Sequence, residues 1–332
     1  MKTTKLLLYS ILVGSLIFAS CKKDEDEPQV NESQVLVEYL ESANSPLGKD
    51  YVNSDMPAII SATDVKTLNE TGQVYIIDIR SATDFAAGHI ANAHNVAFGD
   101  ILTHINGVDL TTYTKVAIVC YTGQTAGYAA SMLRLMGYDK VYSMKWGMSS
   151  WNVTFNKWTT NLSNTYASQF TSTATDKNAM GSLPTLSTGK TTGQEILEAR
   201  MTTLLAEGFD PAKITSATVF GNLSNYYIVN YWPANHYAAP GHIPGAAQYT
   251  PKETIKLAAD LKTLPTDKTI VVYCYTGQTS AHLAAYLRLL GYDAKSLLFG
   301  TNGMIYDNMV TTGGMTVFSE SQIMGYDFVT GK

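Results

Sequence analysis

"CYTGQTAGYAASMLRLMGYD" (120–139) is written a second time as "CYTGQTSAHLAAYLRLLGYD" (274–293), with 13 of 20 positions identical. In each copy a run with apolar residues at both parities ends at the Cys: "KVAIVCY" (115–121) and "IVVYCY" (270–275). Such runs mark strands buried on both faces of a parallel sheet. After the Cys loop, Ala126, Ala129, Ala130 and Leu133 recur at helical spacing, as do Ala281, Ala284, Ala285 and Leu287. Gly137 and Gly291 then stand where a left-handed helix cap is expected. Each Cys therefore lies at the carboxyl end of a strand and just before a helix, the edge at which open α/β sheets bind ligands.

The repeat reaches further back. "AIISATDVKTLNETGQVYIIDIRSATDFAAGHIANAHNV" (58–96) lines up with "KITSATVFGNLSNYYIVNYWPANHYAAPGHIPGAAQY" (213–249) through I-x-S-A-T, a β-rich run and Gly-His-Ile. The Cys residues are 154 positions apart and the Gly-His-Ile motifs 153. A period of that length means duplicated domains, not a solenoid of short repeats. The predicted fold is α/β, with two domains, each a central, mostly parallel sheet flanked by helices. The expected organisation is residues 1–20 as a signal peptide, 21–50 as a tether, 51–158 as the first domain, 159–192 as a connection and 193–332 as the second domain. The connection is rich in Ser, Thr, Asn and Gly, which suits a surface loop.

The chemistry follows from the loop. Backbone N–H groups at a helix start lack intrahelical partners. They can point at a sulfur, and the helix dipole adds positive character. That arrangement favours a thiolate or a persulfide, because helix N-termini lower thiol pKa values. Gly123 and Gly277 permit the tight turn. Thr125 and Thr279 offer a hydroxyl to the sulfur or to the helix start. A small buried Cys at a strand end is the plain alternative, less apt for two identical loops.

These marks resemble the tandem rhodanese sulfurtransferases. They are "DIR" (78–80), "DFAAGHIANAHNV" (84–96) and "CYTGQT" (120–125) in copy one, with "HYAAPGHIPGA" (236–246) and "CYTGQT" (274–279) in copy two. The resemblance implies that Cys120 and Cys274 accept sulfane sulfur from a donor such as thiosulfate or mercaptopyruvate. They would hold it as a persulfide and pass it to a thiol or cyanide acceptor, by nucleophilic catalysis without metal or organic cofactor. The implied substrate-binding residues are Tyr121, Thr122, Gly123, Gln124 and Thr125, then Tyr275, Thr276, Gly277, Gln278 and Thr279. Arg80 is expected either at the mouth of site one or paired with Asp84 or another acid.

The departures matter. Family members acting on thiosulfate often carry Arg or Lys in the loop; neither copy does. Copy two reads "NYW" (230–232) where copy one has "DIR". Tandem members usually keep the Cys only in the second copy, whereas both are kept here. The rival class is a rhodanese-like binding or redox-sensing module without turnover. A phosphatase of this fold needs Arg six residues after the Cys to clamp an oxyanion; those positions are Ala126 and Ser280.

Other features bound the setting. "LLLYSILVGSLIFA" (6–19) has the length of a secretory apolar segment. It runs into "FAS" and Cys21, which resembles a lipoprotein signal and implies a lipid on the Cys21 sulfur and a membrane anchor in a bacterial envelope. "KKDEDEP" (22–28) reads as solvated tether; its acidic run resembles a surface-export signal, and the membrane face is left open. Net charge is −5 over 332 residues, with no basic stripe interleaved with aromatics, so nucleic acid is not an expected partner. Of three Cys, two remain beside Cys21, on equivalent loops of separate domains, and no bridge is expected between them. The six His show no metal-ligand spacing. His89 and His242 read as structural parts of the Gly-His-Ile turns, and Trp146, Trp151 and Trp158 as packing residues. Arg134 and Arg288 are expected to face solvent or form salt bridges.

Overall fold

A computed structural model describes residues 31–331; the signal segment, Cys21 and the charged run lie outside the described residues. Two five-stranded sheets carry the fold. The first comprises β1 (Ile59–Ile60), β2 (Val74–Asp78), β3 (Ala93–Asn95), β4 (Lys115–Val119) and β5 (Val141–Met144), in the order β1-β5-β4-β2-β3. The second comprises β6 (Lys213–Ile214), β7 (Tyr226–Tyr231), β8 (Ala247–Tyr249), β9 (Thr269–Tyr273) and β10 (Ala294–Leu297), in the equivalent order β6-β10-β9-β7-β8. Every pairing within both sheets is parallel. β4 and β9 are the central strands, and Val116–Val119 and Ile270–Tyr273 are buried, as runs apolar at both parities require. Each central strand stops one residue before its Cys.

The two copies share one apolar core. The helices Gln124–Leu135 and Gln278–Leu289, each starting at a Cys loop, are buried on nearly every face. A helix apolar all round belongs inside a core, and here the two lie against each other. A Cβ on Gly127 would sit 3.0 Å from the Gln278 carbonyl oxygen and from His282 Nδ1. Ser131 Oγ donates to the His282 carbonyl at 2.9 Å.

Part of the expected tether is folded. Residues Glu32–Glu41 form a helix whose Leu36, Val37 and Leu40 are buried in the shared core. The Glu32 carboxylate accepts the Thr188 and Gly189 N–H groups at 2.7 and 2.8 Å. The physical reason is the apolar spacing at 36, 37 and 40, a narrow helical stripe beyond the charged run.

The chain segments that follow each copy cross to the other. After copy one, Thr171 pairs antiparallel with His242 of copy two; after copy two, Val329 pairs antiparallel with His89 of copy one. The tail adds a Trp151 Nε1 donation to the Asp327 carbonyl at 2.8 Å and Phe328 packed edge-on against Phe155. Trp146, Trp158 and Phe318 form a buried cluster drawn from the end of copy one and the tail after copy two. No helix among the described residues is long and apolar enough to cross a membrane.

Candidate active sites

In copy one the Cys120 side chain is buried. Gly123 N–H and Ala126 N–H donate to its Sγ at 3.1 and 3.4 Å. Gly123 adopts φ +80°, the left-handed region that favours glycine, and this turns the amides inward. In copy two, Gly277 takes φ +76°. Ser280 N–H donates to Cys274 Sγ at 3.3 Å, and the Cys274 thiol meets Ser280 Oγ at 3.6 Å. Ser280 Oγ lies 2.8 Å from Ser296 Oγ, which donates to the Gly277 carbonyl at 3.2 Å. Both Cys are free thiols.

The loops are braced from behind by the turn after each fifth strand. Met148 N–H donates to the Cys120 carbonyl at 2.8 Å, and Thr301 N–H to the Cys274 carbonyl at 3.1 Å. Gly147 and Gly300 bring this turn close: a Cβ on either would fall 2.3 Å from the carbonyl oxygen of Cys120 or Cys274 respectively.

The surroundings differ. Burial pushes the Cys120 thiol pKa up; the Ala126, Thr122 and Gly123 amides pull it back, and the Asp78 charge adds to the rise. Arg80 pairs with Asp78, Nη2 to Oδ2 at 2.6 Å, with Nε within 3.0 Å of both carboxylate oxygens. Both side chains are at most 2% exposed. Nη2 also donates to the Gly88 carbonyl at 2.7 Å, and the guanidinium stacks 5.0 Å from the Tyr121 ring. Of the pairings open in the sequence, Asp84 is not the one formed. It accepts the Tyr121 hydroxyl at 2.8 Å instead. Copy two replaces these groups position by position. Asn230 stands for Asp78 and donates to the Tyr273 hydroxyl at 2.8 Å. Trp232 stands for Arg80 and stacks on Tyr275 at 5.0 Å. His236 stands for Asp84, its Nδ1 2.5 Å from the Tyr275 hydroxyl.

The remaining loop residues divide between cradle and interface. Gln124 and Gln278 are buried and reach into the opposite copy. Gln124 Oε1 accepts Phe299 N–H at 2.7 Å, and Gln278 Oε1 accepts Trp146 N–H at 3.3 Å. The acceptor oxygens thus satisfy the turn that braces the other site. Thr122 Oγ1 accepts from Gln124 Nε2, and Thr276 Oγ1 accepts Gln278 N–H, both at 3.1 Å. Thr279, with Tyr275, Thr276 and Gln278, lines a cleft of about 240 Å³ over the second loop. Thr125 is half-buried. His89 and His242 lie in the Gly-His-Ile turns, stacked on Phe85 and Tyr237 and bonded through Nδ1 to those residues' carbonyls at 2.8 Å. Asp84, His236 and the Trp146-Gly147 and Phe299-Gly300 turns escape a reading of the loops alone. The signal for the two turns is the paired segments "SMKWGM" (143–148) and "SLLFGT" (296–301).

A model of the rhodanese-like domain matches residues 61–154 and again 222–305, together more than half of the chain. The chain belongs to the rhodanese-like domain family. Among its rhodanese relatives, thiosulfate sulfurtransferase GlpE of Pseudomonas fluorescens (strain SBW25) is 36% identical over 90 residues, covering 27% of this chain and 80% of that protein. Thiosulfate sulfurtransferase GlpE of Shewanella oneidensis is 32% identical over 93 residues, covering 28% and 90%. The crystal structure of a rhodanese-related protein from Thermoplasma volcanium aligns at TM-score 0.26 and 21% identity over 28% of this chain and 89% of that one. The human single-domain sulfurtransferase TSTD1 aligns at TM-score 0.23 and 18% identity over 26% and 88%.

Proposed function

We propose that the protein is a sulfurtransferase that carries sulfane sulfur as a persulfide on Cys120 and Cys274. The observation that carries this reading is the backbone cradle: amide donors at 3.1 and 3.4 Å from one sulfur and 3.3 Å from the other, at the start of two helices. Such donors stabilise negative charge on sulfur where it develops. With thiosulfate, the Cys thiolate attacks the outer sulfur. An S–S bond forms to Cys as the bond to the sulfonate sulfur breaks, and sulfite leaves with that electron pair. With mercaptopyruvate, the C–S bond breaks and the released enolate takes the thiol proton, giving pyruvate. In the second half, cyanide or a thiolate attacks the terminal sulfur and the Cys thiolate is restored. Chemistry of this kind is ping-pong.

Intact mass tests the reading. The protein is exposed to thiosulfate and separately to mercaptopyruvate, beside Cys120→Ser and Cys274→Ser. One sulfur gained per active Cys and lost site by site in the variants is the expected result. No gain from either donor sinks the catalytic reading. Burial of Cys120, which disfavours its thiolate, supports a second reading for copy one alone, a rhodanese-like binding or sensing module. Sulfur gain that survives Cys120→Ser in full and vanishes in Cys274→Ser selects it.

We propose further that Cys21 is lipidated and holds the protein on an envelope membrane; the support is the sequence around it. Cys21→Ser should then move the protein from the membrane to the soluble fraction, and retention on the membrane would refute the anchor.

A further inference from the structure

The Cys274 loop has no charge of its own, yet its cleft does. From copy two the cleft is lined by Tyr275, Thr276, Gln278 and Thr279, and from copy one by Ile59 and Lys145. Lys145 follows directly on β5 of the first sheet. It is half-buried. Its ammonium lies 5.3 Å from the Trp146 ring centroid, and among the described residues no carboxylate is paired with it. The position is fixed by its neighbour, since Trp146 N–H donates to Gln278 Oε1 in the Cys274 loop. The equivalent residue of copy two is Leu298, beside Phe299, whose N–H donates to Gln124 in the Cys120 loop. The cations near Cys120 are engaged otherwise. Arg80 is neutralised by Asp78, and Lys157 sits over the Tyr121 ring, whose hydroxyl binds Asp84.

We propose that the Cys274 pocket is a composite site, completed across the domain interface by Lys145, which binds the anionic end of a small sulfur donor. The ligand class is a small sulfonate or carboxylate carrying a transferable sulfur. Lys145 is a specificity-determining residue there, and at the equivalent position in copy two Leu298 carries no charge. The donor assignment rests on the sulfurtransferase reading; the anion preference does not.

The test uses a readout independent of sulfur transfer. Alkylation of each Cys by iodoacetate, an anion, and by iodoacetamide, its neutral analogue, is followed by mass spectrometry in the full chain. An unpaired cation beside the approach path favours the anion by about three- to tenfold at a water-like dielectric. Lys145→Met should lower the iodoacetate-to-iodoacetamide rate ratio at Cys274 by about that factor and leave the ratio at Cys120 unchanged; Lys145→Arg should restore it. Added salt should reduce the ratio in the native protein and not in Lys145→Met. Native protein that takes up sulfur while the ratio is indifferent to Lys145 overturns the inference and spares the function. A Lys145-dependent ratio without sulfur uptake keeps the anion site and overturns the function. A Cys274 that reacts with neither reagent shows that the cleft does not lead to it, and overturns the inference.

Discussion

Asp78→Asn is the perturbation that most sharply separates structure from substrate binding in copy one. Asp78 and Arg80 are both buried, 2.6 Å apart, and the carboxylate takes three contacts from the guanidinium. Its removal leaves the Arg80 charge with the Gly88 carbonyl and the Tyr121 and Phe155 rings, while Nη1 already has no partner. Breaking one side of a buried pair costs about 3–5 kcal/mol, whereas removing both charges together costs much less. Copy two shows the uncharged solution in the same fold, with Asn230 and Trp232 at these positions. With a urea dependence of about 3 kcal/mol per M, Asp78→Asn should lower the unfolding midpoint by roughly 1–1.7 M. Adding Arg80→Met should recover most of the loss, a coupling that a double-mutant cycle measures directly. Sulfur loading from thiosulfate in the double variant should keep its KM within about twofold, because the guanidinium is committed to Asp78 and not to a ligand. A single variant as stable as the native chain would refute the energetic argument. A stable double variant with a strongly raised KM would refute the positional one and return Arg80 to the substrate.

His282 is fully buried between the copies, its Nδ1 2.9 Å from the Gln278 carbonyl, and burial lowers its pKa to about 4. The unfolded chain protonates first as pH falls below 6.5, so stability present above that value is lost towards pH 4; the loss by pH 5 is about 2 kcal/mol. Urea midpoints at pH 7 and 5 should therefore differ in the native chain and differ less in His282→Gln; equal differences would remove His282 as the cause. Gly300→Ala places a Cβ 2.3 Å from the Cys274 carbonyl oxygen at φ +51°, so sulfur loading should fall at Cys274 and persist at Cys120, and unimpaired loading at Cys274 would show the brace to be dispensable. Because burial raises the Cys120 pKa, its rate of reaction with iodoacetamide should still be rising above pH 8.5, about the ordinary thiol value; a plateau below pH 8 would show that the amides outweigh burial.

The features readable in the sequence are those that each copy builds alone. Val116–Val119 and Ile270–Tyr273 announce buried strands because their apolar residues fall at both parities. Gly123 and Gly277 announce the cradle because only a left-handed turn aims the amides at the sulfur. The features missed depend on one copy meeting the other. Gln124 and Gln278 read as substrate residues, since nothing in "CYTGQT" tells that their carbonyl oxygens satisfy Phe299 and Trp146 across an interface. The stripe at Leu36, Val37 and Leu40 lies next to a charged run and so reads as tether, although its partners are supplied by the second copy. Lys145 and Leu298 are visible as a difference between "SMKWGM" and "SLLFGT", but that the next residue of each, Trp146 or Phe299, is bound to the other copy's loop is not. Each site is thus built of one copy's cradle, side chains of that same copy around it, and a turn of the other copy held by its Gln. The loops are the same residue for residue from Cys120 to Thr125 and from Cys274 to Thr279, while the outside differs in charge at 78/230, 80/232, 84/236 and 145/298. On the proposed function, matching loops in unlike walls would keep the sulfur chemistry in common and separate the molecules that reach it, so the two sites would differ in the donor they select before they differ in mechanism.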